Sequence, residues 1–380
     1  MTVTLFSRTD QSALSDWWWT IDRTLLFIIT FLAIIGVAMV TTASPAVAER
    51  LGYAPFYFLT KHMIFLIGAL VIMLFLSFIS EQWIWRLSAL GFALSIIAMI
   101  LTVIMGYETK GGQRWLSVVG FNIQPSEFLK PSFLVVSAWI ITKAKESKGQ
   151  TIRRLQLLNL ALLFLCLGLL IAQPDFGMSA LLVLSFCTQL FLSGFSIRYF
   201  ILLGGLCVVG LLAAYLTLDH VTSRIDRFIN PASGDTYQID RSMESFANGG
   251  LIGAGPGQGT IKMQLPDAHS DFIFSVAGEE FGFLLTLGLI GLYAFMLYHG
   301  LKRLMLKDSL FAMLAGGSLL AMIAIQSMIH MGSAMQLIPT KGMTLPFISY
   351  GGSSVLAIGY TLGVVLALTR RYKDKGYATF

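Results

Sequence analysis

TLLFIITFLAIIGVAMVTTA, residues 24–43, runs for twenty residues without one charged side chain. As a helix it would be about 30 Å long, the thickness of the hydrocarbon core of a bilayer. Backbone groups in lipid must be satisfied within their own segment, so such a run reads as a membrane-spanning helix. Nine more apolar runs follow, at 63–80, 87–105, 128–142, 155–172, 177–193, 199–218, 283–299, 310–330 and 348–369. Strands of about ten residues with alternating polarity, the mark of a membrane barrel, do not stand out. Composition agrees: 56% hydrophobic, 12% charged, mean hydropathy +0.76. An ordinary soluble domain carries about twice that charge. The chain therefore reads as an all-α integral membrane protein of about ten transmembrane helices, one polytopic domain over residues 1–380.

Cys166, Cys187 and Cys207 lie inside apolar runs and read as packing residues, since neither a metal spacing nor a disulfide framework is visible. Ala46-Val47-Ala48 resembles a signal-peptidase site. The apolar run before it is too long for a signal sequence, so the first helix reads as a retained anchor. Trp17, Trp18 and Trp19, just ahead of it, fit an interfacial aromatic belt.

Ten spans put both termini on one side. Sixteen Lys and Arg fall on that side and nine on the other, with Lys130 inside the fourth span. Four of the nine sit in one long loop, and long loops contribute little to orientation. The termini are therefore expected in the cytoplasm, with basic clusters such as Lys143 to Arg154 against anionic membrane lipids. The net charge of +6 reflects this bias and not a nucleic-acid surface. The large loop between the seventh and eighth spans, 219–282, then lies outside the cytoplasm, without access to ATP.

Three outward segments concentrate the polar residues. The long loop ends in LPDAHSDFIFSVAGEE (Leu265–Glu280), which packs Asp267, His269, Asp271, Glu279 and Glu280 into a chain with little other charge. Ionisable groups at a membrane cost free energy and mark function. The glycines at 249–259 just before it are not a nucleotide cradle, because Gly259 is followed by Thr260 and not by a GK[ST] ending. In GGQRWLSVVGFNIQPSEFLKP (Gly111–Pro131), a re-entrant or tightly turned loop is expected. Glu127 and Lys130 share one helix face there as a structural ion pair, while Arg114 has no evident structural partner. In IPTKGMTLPFISYGGSS (Ile338–Ser354), Lys341 sits between two prolines ahead of a Gly pair, which predicts broken helix. Lys341 reads either as an interfacial snorkeller or as an anion contact. Asp175 in QPDFGMS reads as a helix N-terminal charge.

Taken together, GGQRW, QPSE with Lys130, QPDFG, PASGDTYQ, LPDAHSDFIFSVAGEE and PTKGMTLPFISYGGSS resemble the SEDS family (shape, elongation, division and sporulation) from first span to last. GAGPGQGTIKMQLPDAHSDF is similar to the division type more than the elongation type. The resemblance implies a peptidoglycan glycosyltransferase that polymerises lipid II on the outer face of a bacterial inner membrane, at the division septum. It implies Asp271 as the base that takes a proton from the acceptor hydroxyl; a helix N-cap is the structural reading of the same residue. It implies Arg114 and Lys341 on the diphosphate or sugar and a divalent cation (Mg2+ or Mn2+); from the residues themselves, Asp267 and His269 read either as helpers that orient Asp271 or as ligands of such an ion, with Asp271 and Asp267 as its candidate carboxylates. Glu279 and Glu280 are expected to be structural. Asp267 stands where many relatives carry Glu. A class B penicillin-binding transpeptidase and other division proteins are the implied partners, with no nucleotide. The alternatives are a lipid II flippase, for which intramembrane Gln189, Gln326 and His330 would serve, or a division scaffold.

Overall fold

The computed structural model describes residues 12–109, 112–118, 121–217, 219–230, 236–339 and 342–371. In chain order the helices are α1 (Ala13–Thr20), α2 (Arg23–Arg50), α3 (Tyr57–Ser77), α4 (Glu81–Met105), α5 (Pro125–Glu146), α6 (Gln150–Ala172) and α7 (Phe176–Leu192). Then come α8 (Ile197–Thr217), α9 (Asp219–Ile229), α10 (Tyr237–Gly249), α11 (Ile273–Met305), α12 (Leu310–Ala334) and α13 (Gly352–Thr369). Each of the ten apolar runs falls on a helix. Seven helices (α2, α3, α4, α6, α11, α12 and α13) are long and apolar enough to cross a bilayer. α7 is shorter at 17 residues, and α5 carries charge at both ends.

Helix starts follow side-chain capping. Asp22 accepts from Leu25 N at 3.1 Å for α2, and Ser309 from Ala312 N at 3.1 Å for α12. The bundle is layered. The apolar windows of α12 and α13 are 83% buried, against 22% for α6 and 28% for α3 and α4. α12 and α13 therefore form the protein-facing centre, and the outer helices turn apolar side chains such as Phe75, Leu94 and Phe164 toward lipid.

The outward segments differ from expectation in three ways. Residues 107–123 are not a re-entrant loop but a small antiparallel sheet, β1 (Tyr107–Thr109), β2 (Gly112–Val118) and β3 (Phe121–Ile123), in the order β1-β2-β3. Tyr107 faces Trp115, and Leu116 faces Ile123. The stretch is too short and too polar to stand out from the apolar runs around it. The 219–282 loop contains α9 and α10, whose polar, short-period sequences hide them from a hydropathy scan. Finally, α11 starts at Ile273, ten residues before the expected span, and breaks at Gly282 (φ 75°, ψ −173°). A Cβ at Gly282 would lie 2.5 Å from Gly253 N, so only glycine lets the 250–255 turn lie against the break. Glu279 and Glu280 thus belong to a short helix ahead of the break.

Trp17 leaves the expected aromatic belt. It is buried, donates from Nε1 to Ser77 Oγ at 2.8 Å and stacks on Phe78 at 4.8 Å. Trp18 and Trp19 instead carry the Arg23 guanidinium over their rings.

Candidate active site

The acidic stretch is held from beneath by its own two glutamates. Glu279 is fully buried and accepts from Thr260 N (2.7 Å), Ile261 N (2.7 Å), Lys262 N (3.0 Å) and Asn248 Nδ2 (3.1 Å). Four donors around one carboxylate fold the glycine-rich chain into a 3₁₀ turn, Ile261–Met263. Glu280, also buried, pairs with buried Lys262, whose Nζ donates onward to Thr42 O of α2 at 3.0 Å. From the other side Arg50, in the last turn of α2, donates to Leu265 O (2.7 Å) and Pro266 O (2.8 Å). The stretch is therefore fixed at its entrance and at its exit.

Between these anchors, residues 266–272 form successive turns, with Ser270 N and Phe272 N both donating to Asp267 O. Phe272 occupies the cap position of α11 and no side chain caps the helix. The N-cap reading of Asp271 is thus corrected: the helix begins one residue too late for it. Asp271 and Asp267 are partly exposed. His269 is buried, its ring 4.3 Å from Phe58 and 5.0 Å from Tyr350.

The 342–350 segment lies directly against this turn. Tyr350 N donates to His269 O at 2.9 Å, Ser349 Oγ donates to Ser270 O at 2.7 Å, and Asp271 Oδ2 lies 2.6 Å from where a Cβ on Gly342 would stand. A glycine is what lets the carboxylate reach this backbone. The segment is irregular, as its prolines predict, and α12 holds it: Gln326 Nε2 donates to Thr344 O (2.9 Å) and His330 Nδ1 to Met343 O (2.6 Å). Tyr293 OH of α11 donates to Pro346 O at 2.6 Å. Gln326 and His330, which would have served the alternative transporter reading, grip consecutive carbonyls here. Their spacing of four, one helix face opposite a proline-broken stretch, is the signal that could have found them. Lys341 lies outside the described residues.

The third segment meets the second at Gln124 N, which donates to Ser353 Oγ at 3.2 Å. Thr344 and Ser354 are joined by their hydroxyls at 2.5 Å, so an arc of contacts runs from β3 to Asp271. Arg114 does have structural partners. Its guanidinium donates to Gln173 O (3.1 Å) and Pro174 O (2.5 Å) and lies 3.8 Å from Asp175 Oδ2. These partners are some 60 residues away in sequence, which is why none was apparent. Asp175 caps α7 through Met178 N at 3.4 Å. Glu127 and Lys130 are both buried and 2.9 Å apart, with Lys130 Nζ also 3.1 Å from Met178 Sδ.

Among the described residues no three His, Cys, Asp or Glu side chains gather as a metal cage. Asp267 and Asp271 offer two carboxylates on one turn. Such a pair would suit Mg2+, which keeps several waters and takes one or two carboxylates plus substrate phosphate.

Residues 23–374 match the family model of FtsW, RodA and SpoVE, described as cell cycle protein. The chain belongs to this family. A Caulobacter vibrioides protein named probable peptidoglycan glycosyltransferase FtsW is 40% identical over 367 residues, covering 96% of this chain and 93% of that protein. An Escherichia coli O6:H1 protein of the same name is 32% identical over 355 residues, covering 91% and 85%. Among solved structures, a chain from a peptidoglycan synthase complex that coordinates polymerisation and crosslinking superposes with a TM-score of 0.75 at 25% identity, covering 93% of this chain and 98% of that one. Thermus thermophilus RodA superposes at 0.69 with 24% identity, covering 93% and 97%. The FtsW/RodA family membrane fold assigns a multi-pass inner-membrane protein.

Proposed function

We propose that this chain is a peptidoglycan glycosyltransferase of the division type, polymerising lipid II at the septum from the face opposite its termini. The carrying observation is the contact of a partly exposed carboxylate, Asp271, with the Gly342 backbone of a broken helix. Asp271 takes the proton of the acceptor sugar hydroxyl as that oxygen attacks the anomeric carbon of the donor. The bond from that carbon to the diphosphate breaks, and its electron pair leaves with the diphosphate. Cations stabilise the charge that develops there. Lys341, the residue before Gly342 in the sequence, is the assignment for that work, and Asp267 and Asp271 would hold a Mg2+ or Mn2+ ion beside it. A bound ion would supply Lewis-acid stabilisation of the diphosphate. Arg114, spent on residues 173–175, acts by shaping the β2–α7 junction. The solved synthase complex supports a transpeptidase partner.

The flippase reading loses its polar path. Gln189 is engaged by Ser137 Oγ (2.6 Å), Leu134 O (2.7 Å) and Ser318 Oγ (3.1 Å), and Gln326 and His330 hold backbone. Purified protein with Asp271→Asn should lose lipid II polymerisation at unchanged thermal midpoint. Polymerisation at the wild-type rate would remove Asp271 from this role.

A further inference from the structure

The turn between α2 and α3 builds an aromatic stack beside the candidate base that the mechanism does not use. Its geometry begins at the end of α2. Gly52 (φ 71°) donates to Glu49 O at 3.1 Å and Tyr53 N to Ala48 O at 2.9 Å. This is the paired bond pattern of a Schellman motif, which fixes the backbone of the residue after the glycine. Tyr53 is therefore held on a rigid helix end, the same end whose Arg50 binds Leu265 and Pro266.

Tyr53 stacks on Tyr57 at 4.4 Å with an interplanar angle of 10°, and the Lys61 ammonium lies over the Tyr57 ring, 4.5 Å from its centre. Tyr53 keeps 48% of its surface exposed and meets Phe58 edge-on at 6.1 Å. Phe58 in turn packs on His269, two residues before Asp271. A half-exposed ring on a rigid helix end thus connects through Phe58 and His269 to the turn that carries the candidate base.

We propose that Tyr53, backed by Tyr57 and Lys61, is a saccharide-binding wall that receives a sugar ring of the glycan strand beside Asp271. The inference rests on the glycosyltransferase reading and adds a subsite to it. The apolar C–H face of a pyranose stacks on an aromatic ring, and Lys61 adds positive charge that suits the carboxylates of the peptide borne by such a sugar. Tyrosines of an interfacial belt turn their rings out into the headgroups. Here the stack is instead continuous, through Phe58, with buried His269 and partly buried Tyr350.

Two measurements on the full chain test this. In lipid II polymerisation, Tyr53→Ala should raise KM about tenfold and shorten the strands at unchanged thermal midpoint, while Tyr53→Trp keeps both near wild type. Wild-type KM and strand length in Tyr53→Ala would overturn the wall and leave the reading of Asp271 standing. A loss that tracks a lowered midpoint would likewise overturn it, by making the ring structural. Binding is read separately, so that failure of the glycosyltransferase reading stays distinguishable. In nanodiscs, the added fluorescence of Tyr53→Trp over wild type should respond to a soluble N-acetylglucosaminyl-muramyl peptide and resist quenching by brominated lipid. Quenching by the lipid with no response to the saccharide assigns the ring to the membrane interface and overturns the proposal.

Discussion

Glu279 is buried with three backbone amides and one side-chain amide directed at it. A buried donor left without a partner costs about 1–3 kcal/mol. Glu279→Gln places an amide NH2 where an oxygen received such donors, so at least one loses its acceptor. We expect a loss of about 3 kcal/mol of stability, read as a lowered thermal midpoint, and a matching loss of polymerisation, because the turn carrying Asp271 hangs from this carboxylate. An unchanged midpoint would separate Glu279 from the fold of that turn. The residue scale is also where sequence reading stopped short. The concentration of charge at Leu265–Glu280 was legible because an apolar chain makes it conspicuous. The partners of Arg114 were not, because Gln173 and Pro174 bind it through backbone carbonyls, and a carbonyl leaves no trace in residue type.

At the scale of elements, hydropathy located the long apolar helices because lipid enforces one long apolar run per crossing. It missed β1–β3, α9 and α10, where no such constraint acts on the sequence. It also missed the early start of α11, since Ile273–Phe281 is a short helix set apart by one glycine at 282. The join between α12 and the broken segment belongs to this scale as well. His330 and Gln326 hold Met343 and Thr344, the two residues after the glycine that Asp271 touches. One such hydrogen bond is worth about 1 kcal/mol, or about fivefold in rate if the geometry it sets is that of the transition state. His330→Ala should therefore lower kcat about fivefold with little change in KM. His330→Asn, whose amide can donate from near the Nδ1 position, should restore much of it. Equal loss in both variants would mean the imidazole acts by its volume and not by its bond to Met343.

At the scale of the molecule, the two faces are clamped by different means. Helices in lipid gain no hydrophobic drive from packing on one another, so polar contacts at their ends carry weight. On the site face these contacts are mainly to backbone carbonyls, whose strength does not change with pH. On the terminal face an ionic cluster around Asp22 joins them. Asp22 at the head of α2 accepts from Arg303 Nε at 2.7 Å and lies 3.0 Å from His299 Nε2, both near the end of α11. Arg370, just past α13, donates to Thr20 Oγ1 at 3.0 Å. Burial by itself favours the protonated Asp22 carboxyl, but the Leu25 amide, His299 and Arg303 outweigh it and hold the group below its ordinary value of 3.8. A carboxylate depressed in the folded state adds stability above its unfolded value and loses it as pH falls through the folded one. The contribution of Asp22 should therefore be complete at neutral pH and disappear below 3.8. Thermal midpoints of wild type and Asp22→Asn, measured from neutral pH downward, should be separated at pH 7 and converge below that value. Subtracting the variant removes the carboxylates common to both. A gap that stays constant through the acid range would mean that Asp22 holds α2 to α11 by shape and not by charge.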